Sequence, residues 1–278
     1  MKKILAIGSL MLALNGHAQS YMILGNGVTL TTDKAAFVYD FGHFILPYKV
    51  TLVGGQFLAE EGKLITVDGQ GFLYRKDEKA PAKIKGKGNN YLLSDNGILY
   101  TFDAAGFFYK FDKDAATKKA LGFGGNFFTV KLDDKKPAVD LYTLNSKGNY
   151  FKSSVPGLNP ADIATLGGTY FQTNKGVIYT VNKDGFVFSK EATKPGTVKR
   201  IGGNFFIDSN NAIYTVSEEG YLYFPTIPAS LKIANITKLG QNYFLDKDGK
   251  IFVIDKTGAI FEREMKGHDL KDAKVFSI

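Results

Sequence analysis

Histidine and cysteine, the side chains that most often ligate metals or carry nucleophilic chemistry at neutral pH, are nearly absent from this chain. Cysteine does not occur, and the three histidines are His17, His43 and His268. Zinc, copper and iron sites draw on thiolate and imidazole ligands, so none of that kind is expected. A Ser-His-Asp arrangement would have to use His43 or His268, and neither lies in a nucleophile-elbow context. The stretch Asp246-Lys247-Asp248-Gly249 opens like a calcium loop but lacks the third carboxylate and the distal glutamate of an EF-type loop. It reads better as a turn, as do the stretches around Asp103, Asp184 and Asp208. No catalytic residue, metal or cofactor is expected.

What remains is a set of uncharged hydrogen-bonding side chains at one recurring place. Ser20, Gln56, Asn90, Asn126, Thr169, Asn204 and Asn242 each stand immediately before an aromatic residue. Lining a central channel, they would form a ring of donors and acceptors able to hold a ligand at its mouth. The alternative is that each caps the Gly-Gly turn beside it through a backbone hydrogen bond. A second set, Tyr39, Tyr74, Tyr109, Phe188, Tyr223 and Phe261, recurs further along. Those rings are expected to pack between neighbouring units, with exposed sugar-stacking platforms as the alternative.

The elements that position both sets come from an internal repeat. Its opening aromatics are Tyr21, Phe57, Tyr91, Phe127, Tyr170, Phe205 and Tyr243, spaced 36, 34, 36, 43, 35 and 38 residues apart. Six residues after the aromatic stands Gly27, Gly97, Gly176 or Gly249, with Asn211 in the sixth unit. Fifteen residues after it stands Gly106, Gly185, Gly220 or Gly258, with Ala36 in the first unit. Between them run short alternating strands such as Val177-Ile178-Tyr179-Thr180-Val181. A further strand precedes each double glycine, as in Val198 to Ile201, and Lys274 to Ile278 is expected to complete the ring as the strand before Tyr21. Four short strands in about 36 residues is the pattern of a propeller blade. The expected fold is all-β, a seven-bladed β-propeller of about 36-residue four-stranded repeats. The fourth unit carries extra length around Leu132 to Asp140, and Glu262 to His268 is also asymmetric; both are open as partner contacts or solvated loops.

The N-terminus reads as a secretory signal peptide over residues 1–18. Lys2 and Lys3 precede a mostly apolar run from Ile4 to Leu14, and small residues stand before a cut after Ala18. The run is shorter than the roughly 20 residues of a membrane span. The expected product, residues 19–278, is a single propeller domain, periplasmic or secreted. Without Lys2 and Lys3 the net charge falls from +8 to +6, with lysines interspersed among Asp and Glu. There is no basic stripe of the kind a nucleic-acid binder shows.

The segment Ile201-Gly202-Gly203-Asn204-Phe205-Phe206 leading to Ala212-Ile213-Tyr214-Thr215-Val216 resembles the repeat of the regulator-of-chromosome-condensation propellers. The pattern G-x-L-Y-T-V-x-x-x-G-x-L-Y is similar to quinoprotein-type repeats of bacterial envelope propellers. Both resemblances span residues 19–278 at the level of the repeat. They imply seven blades and a binding scaffold, and no functional residue, since the histidine after the glycine pair and the tryptophan are missing. The expected function is a protein-interaction scaffold of the cell envelope or exterior, with a carbohydrate-binding propeller as the alternative.

Overall fold

A computed structural model describes residues 20–112, 114–131, 139–191 and 193–273. The chain is a seven-bladed β-propeller. Six blades are four-stranded antiparallel meanders, and the first shows three strands among the described residues. In the sixth blade the lead strand Val198–Ile201 pairs with the opening strand Phe205–Asp208. That strand pairs with the middle strand Ile213–Val216, and the closing strand Leu222–Tyr223 completes the sheet. The expected strand Lys274 to Ile278 lies outside the described residues.

The repeat's punctuation follows from backbone geometry. Gly27, Gly97, Gly176 and Gly249 have φ of +81 to +89°, and Asn211 adopts +58° in the same place, the left-handed region that few other side chains tolerate. Turns are tied by Asx geometry: the Asp208 carboxylate accepts the N–H groups of Asn210 and Ala212 at 2.8 and 2.9 Å. Asp246 accepts those of Asp248 and Lys250, both at 2.9 Å, which accounts for the calcium-like sequence as a turn. In the fifth blade the accepting side chain is Asn182, two residues before the expected Asp184. The double glycine has two separate reasons. A Cβ on Gly202 would lie 2.2 Å from the Phe205 ring, and one on Gly168 would lie 2.0 Å from the Gly203 carbonyl of the next blade. One glycine makes room for the opening aromatic and the other for the neighbouring backbone.

The core is distributed. Opening and middle strands are buried on both faces, and the apolar side chains form seven clusters, one at each junction between blades. The seven opening aromatics are fully buried and alternate Tyr, Phe, Tyr, Phe, Tyr, Phe, Tyr around the ring. Each tyrosine hydroxyl donates to the carbonyl of the next opening aromatic, as Tyr91 does to Phe127 (2.9 Å) and Tyr243 to Tyr21 (2.9 Å). Around the axis, each turn after a middle strand donates one backbone N–H to the next blade's turn. The series runs from Lys34 to Gly69 (3.2 Å) and returns from Lys256 to Lys34 (2.7 Å), a closed seven-membered ring.

Candidate functional site

Strand ends, rather than a strand edge, face the axis. The residue entering each opening strand and the residues leaving each middle strand enclose a cavity of about 150 Å³. All seven members of the expected polar ring line it: Ser20, Gln56, Asn90, Asn126, Thr169, Asn204 and Asn242. Ser20, Asn90 and Asn242 make side-chain hydrogen bonds that reach the neighbouring blade. Ser20 Oγ donates to Gly55 O at 3.2 Å, and Asn90 Nδ2 donates to Asn145 O at 3.4 Å. Asn242 is the most completely bonded: Nδ2 donates to Asp33 O (2.8 Å) and Ile254 O (3.3 Å), and Oδ1 accepts from the Thr32 hydroxyl (2.6 Å). At the mouth, Lys34 pairs with Glu218 and Lys183 with Glu219.

A second feature lies on the face where the closing-strand turns emerge. Tyr74, Tyr109, Phe188, Tyr223 and Phe261 are 37–43 % exposed, so the rings expected to be packed between blades are only half covered. One side of Tyr74, Tyr109, Phe188 and Tyr223 lies over the turn glycine of the next blade, Gly106, Gly148, Gly220 and Gly258 in turn. The closing strand is an edge of its sheet, which leaves the other side open. A further set of aromatics follows the turn residue directly: Phe37, Phe72, Phe107, Phe186 and Tyr221, 45–62 % exposed. Their signal was present in the sequence. In Gly71-Phe72-Leu73-Tyr74 the alternation of a strand puts Phe72 and Tyr74 on the face opposite buried Leu73.

Cations stitch this belt together at three junctions. Lys76 Nζ lies 5.1 Å from the Tyr74 ring centre and 5.8 Å from that of Phe107. Lys190 sits likewise over Phe188 and Tyr221 (5.3 and 5.7 Å), and the Arg263 guanidinium over Phe261 and Phe37 (4.8 and 5.8 Å). All are within cation–π reach. Burial lowers the pKa of both lysines from the ordinary value. On the inner side of the belt the Tyr39, Tyr74 and Tyr109 hydroxyls donate to Asp33, Asp68 and Asp103 at 2.8–3.0 Å, and those bonds raise the phenol pKa values. Ala259 stands where a belt aromatic would otherwise be. Beside it opens a groove of about 420 Å³ walled by Tyr223, Phe224, Pro225, Ile227, Pro228 and Ile260.

The remaining candidates separate. His43 bonds the Asn26 carbonyl at 3.1 Å and His268 bonds Asp40 at 2.8 Å, well apart in role from the axial cavity. Most of the insertion around Leu132 to Asp140 lies outside the described residues, as does the leader expected over residues 1–18. Among the described residues no helix is long and apolar enough to cross a membrane.

No family model matches the chain, and no curated protein matches it in sequence. Solved structures do match. Virginiamycin B lyase from Staphylococcus aureus is 12 % identical over 80 % of this chain and 85 % of its own, with a TM-score of 0.33. BamB from Moraxella catarrhalis is 12 % identical over 90 % and 89 %, with a TM-score of 0.26. The extracellular domain of the putative hybrid two component system BT4673 from B. thetaiotaomicron is 14 % identical. It covers 92 % of this chain and 39 % of its own, with a TM-score of 0.32. Likeness at this level carries no argument about function, and the fold stands on the strand pairing above.

Proposed function

We propose that this chain is a non-catalytic, exported propeller that docks a protein partner on its aromatic belt. The observation that carries the reading is the belt itself, a run of exposed rings bridged from blade to blade by Lys76, Lys190 and Arg263. Aromatics and arginine are enriched at protein interfaces, where a few buried anchors supply most of the affinity. The groove beside Ala259 offers a place for one such anchor. A neutral glycan is disfavoured at the rings because cations already cover several of them. It is disfavoured at the axis because about 150 Å³ falls short of the roughly 300–1,000 Å³ of sites for drug-sized ligands. Export rests on the N-terminal pattern of Lys2, Lys3, the apolar run and Ala18.

The test places a photo-crosslinking residue at Phe107, at Phe186, or at Lys175 in a hairpin turn at the other end of the strands, in cells making the full chain. A discrete protein adduct is expected at the two belt positions and not at Lys175, and it should weaken strongly when Lys76 and Lys190 are changed to Glu. Equal adducts at all three positions, or a melting-temperature rise with oligosaccharides that the belt variants lose, would replace this reading.

A further inference from the structure

We propose that the axial cavity binds a small monovalent cation, ammonium or an alkali-metal ion, through side-chain amide oxygens. Six buried side-chain oxygens without a hydrogen-bond partner belong to residues lining this one cavity: Asn89 Oδ1, Asn90 Oδ1, Asn126 Oδ1, Thr169 Oγ1, Asn204 Oδ1 and Gln241 Oε1. Asn89, Asn90 and Asn126 are themselves at least nine-tenths buried. Unpaired buried acceptors are costly and rare in folded proteins, and six around one space call for a donor or a positive charge within it.

The repeat explains why four of them are unpaired. Asn242 shows the satisfied arrangement, with its amide nitrogen on backbone carbonyls of its own and the next blade and its oxygen on the Thr32 hydroxyl. Asn90 keeps the first half of this, donating to the Asn145 carbonyl. The position of Thr32 is held by Leu144, Val181, Val216 or Ile254 in the blades that follow Asn90, Asn126, Thr169 and Asn204. A hydroxyl partner is thus available to one oxygen of the ring and withheld from four.

Charge and size narrow the occupant. The cavity wall carries Lys34, Lys183 and Lys256 against Asp33, Asp68, Asp255 and Glu218, three positive charges to four negative. One oxygen of each of those aspartates is engaged in a turn, and Glu218 is held by Lys34. The second oxygens of Asp33 and Asp68 are held by the Tyr39 and Tyr74 hydroxyls, so apart from one oxygen of Asp255 the ligand atoms left to an occupant are neutral, whereas divalent calcium sites rely on several carboxylates. An apolar cavity of about 150 Å³ holds one benzene, so the space suits an ion with its water, or a one- to two-carbon ammonium, and not a sugar ring.

The test compares the melting temperature of the purified chain in ammonium, potassium, sodium and N-methylglucamine chlorides at equal ionic strength. The last cation is too large to enter. A rise of roughly 5 °C is expected with a fitting ion at saturation, and the pattern among the three small ions separates ammonium from alkali-metal binding. In the double variant Asn126→Leu/Asn204→Leu the rise should be lost. Equal melting in all four salts, or a rise that the double variant keeps, overturns the proposal and leaves water as the donor. If the double variant does not fold, nitrogen-15 ammonium competed against potassium on the unaltered chain decides. A protein-bound signal that potassium displaces, or a potassium-specific rise that ammonium displaces, supports the site, and neither overturns it.

Discussion

Two kinds of junction hold this ring together, and they are built differently. At five of the six junctions between blades that follow each other along the chain, a middle-strand threonine donates to the carbonyl of the next blade's turn glycine; at the junction of blades four and five Thr143 bonds Ser153 instead. Thr31 meets Gly71 (2.6 Å), Thr101 meets Gly148 (2.6 Å) and Thr215 meets Gly258 (2.8 Å), with Thr66 and Thr180 alike. Where the seventh blade meets the first, both partners have changed. The threonine position is Val253, and the glycine position is Ala36, at φ +64°. Arg263 Nε takes over as donor to Ala36 O at 2.7 Å across 227 residues of sequence. His268 bonds Asp40 (2.8 Å) and Asn242 bonds Thr32 and Asp33 in the same seam. Adjacent blades are kept close by the chain itself. The seam must also offset the entropy of closing a long loop, and it does so with the charged donor Arg263, which contributes more per bond than a neutral one.

The strongest way to break the comparison is to remove the segment beginning at Asp269. Leu270 and Ala273 are buried in the seam's core cluster with Met22, Leu24, Leu30 and Tyr243. A buried leucine cut to alanine costs about 2–5 kcal/mol, so losing the whole segment should lower the melting temperature by roughly 10 °C or more. Leu231 holds the corresponding place at the junction of blades six and seven. Leu231→Ala should cost less than the truncation, because the chain still links those blades. Calorimetry of the two variants checks this, and equal losses would mean that the seam is no different from its neighbours.

Alkali probes the same ring through its tyrosines. Tyr21, Tyr91, Tyr170 and Tyr243 are fully buried, and burial raises each phenol pKa well above the ordinary value. Above pH 10 the unfolded chain has lost protons that the folded chain keeps, so stability falls as pH rises. Each tyrosine contributes a slope of about 0.7 kcal/mol per pH unit at pH 10, rising towards about 1.4 above it. Tyr170→Phe and Tyr243→Phe should each remove one such contribution from denaturation curves measured between pH 10 and 11. A reduction confined to Tyr243→Phe would show the seam opening by itself. Strict alternation of Tyr and Phe cannot close on an odd number of blades, and the two like neighbours, Tyr243 and Tyr21, fall at the seam.

Local pattern made the repeat legible. Gly97 and Gly176 have the left-handed backbone that their spacing implied, and Asn211 takes the same role by the same reasoning. The polar ring was legible as a set because an uncharged polar residue recurs before each aromatic. Its bonding was not, since the partner of Asn90 is the Asn145 carbonyl in the next blade, a contact set by how blades stack. The half-exposed state of Tyr74 and Phe188 depends on the closing strand being a sheet edge, which repetition alone does not reveal. Glu262 to His268 stood out as irregular, yet the seam bonds of Arg263 and His268 depend on Ala36 and Asp40 at the far end of the chain.

The smallest effect is the most specific, because it asks whether Arg263 substitutes for the missing threonine. Arg263→Ala should destabilise by about 1–2 kcal/mol, the upper part of that range reflecting the Ala36 carbonyl left without a donor. Val253→Thr alone should be mildly unfavourable, since Val253 is fully buried and the carbonyl a hydroxyl would seek is already occupied. In the Arg263→Ala background the same change should recover part of the loss, reproducing the Thr215–Gly258 bond of the preceding junction. Denaturant titration of the four proteins gives the coupling energy directly. Ala36→Gly is a control on the backbone, expected to gain about 1 kcal/mol by relieving a left-handed alanine, with the Arg263 bond intact. Additive losses in the cycle would mean that Val253 and Arg263 do not share the Ala36 carbonyl, and that the seam is a different joint rather than a repeat junction with a new donor.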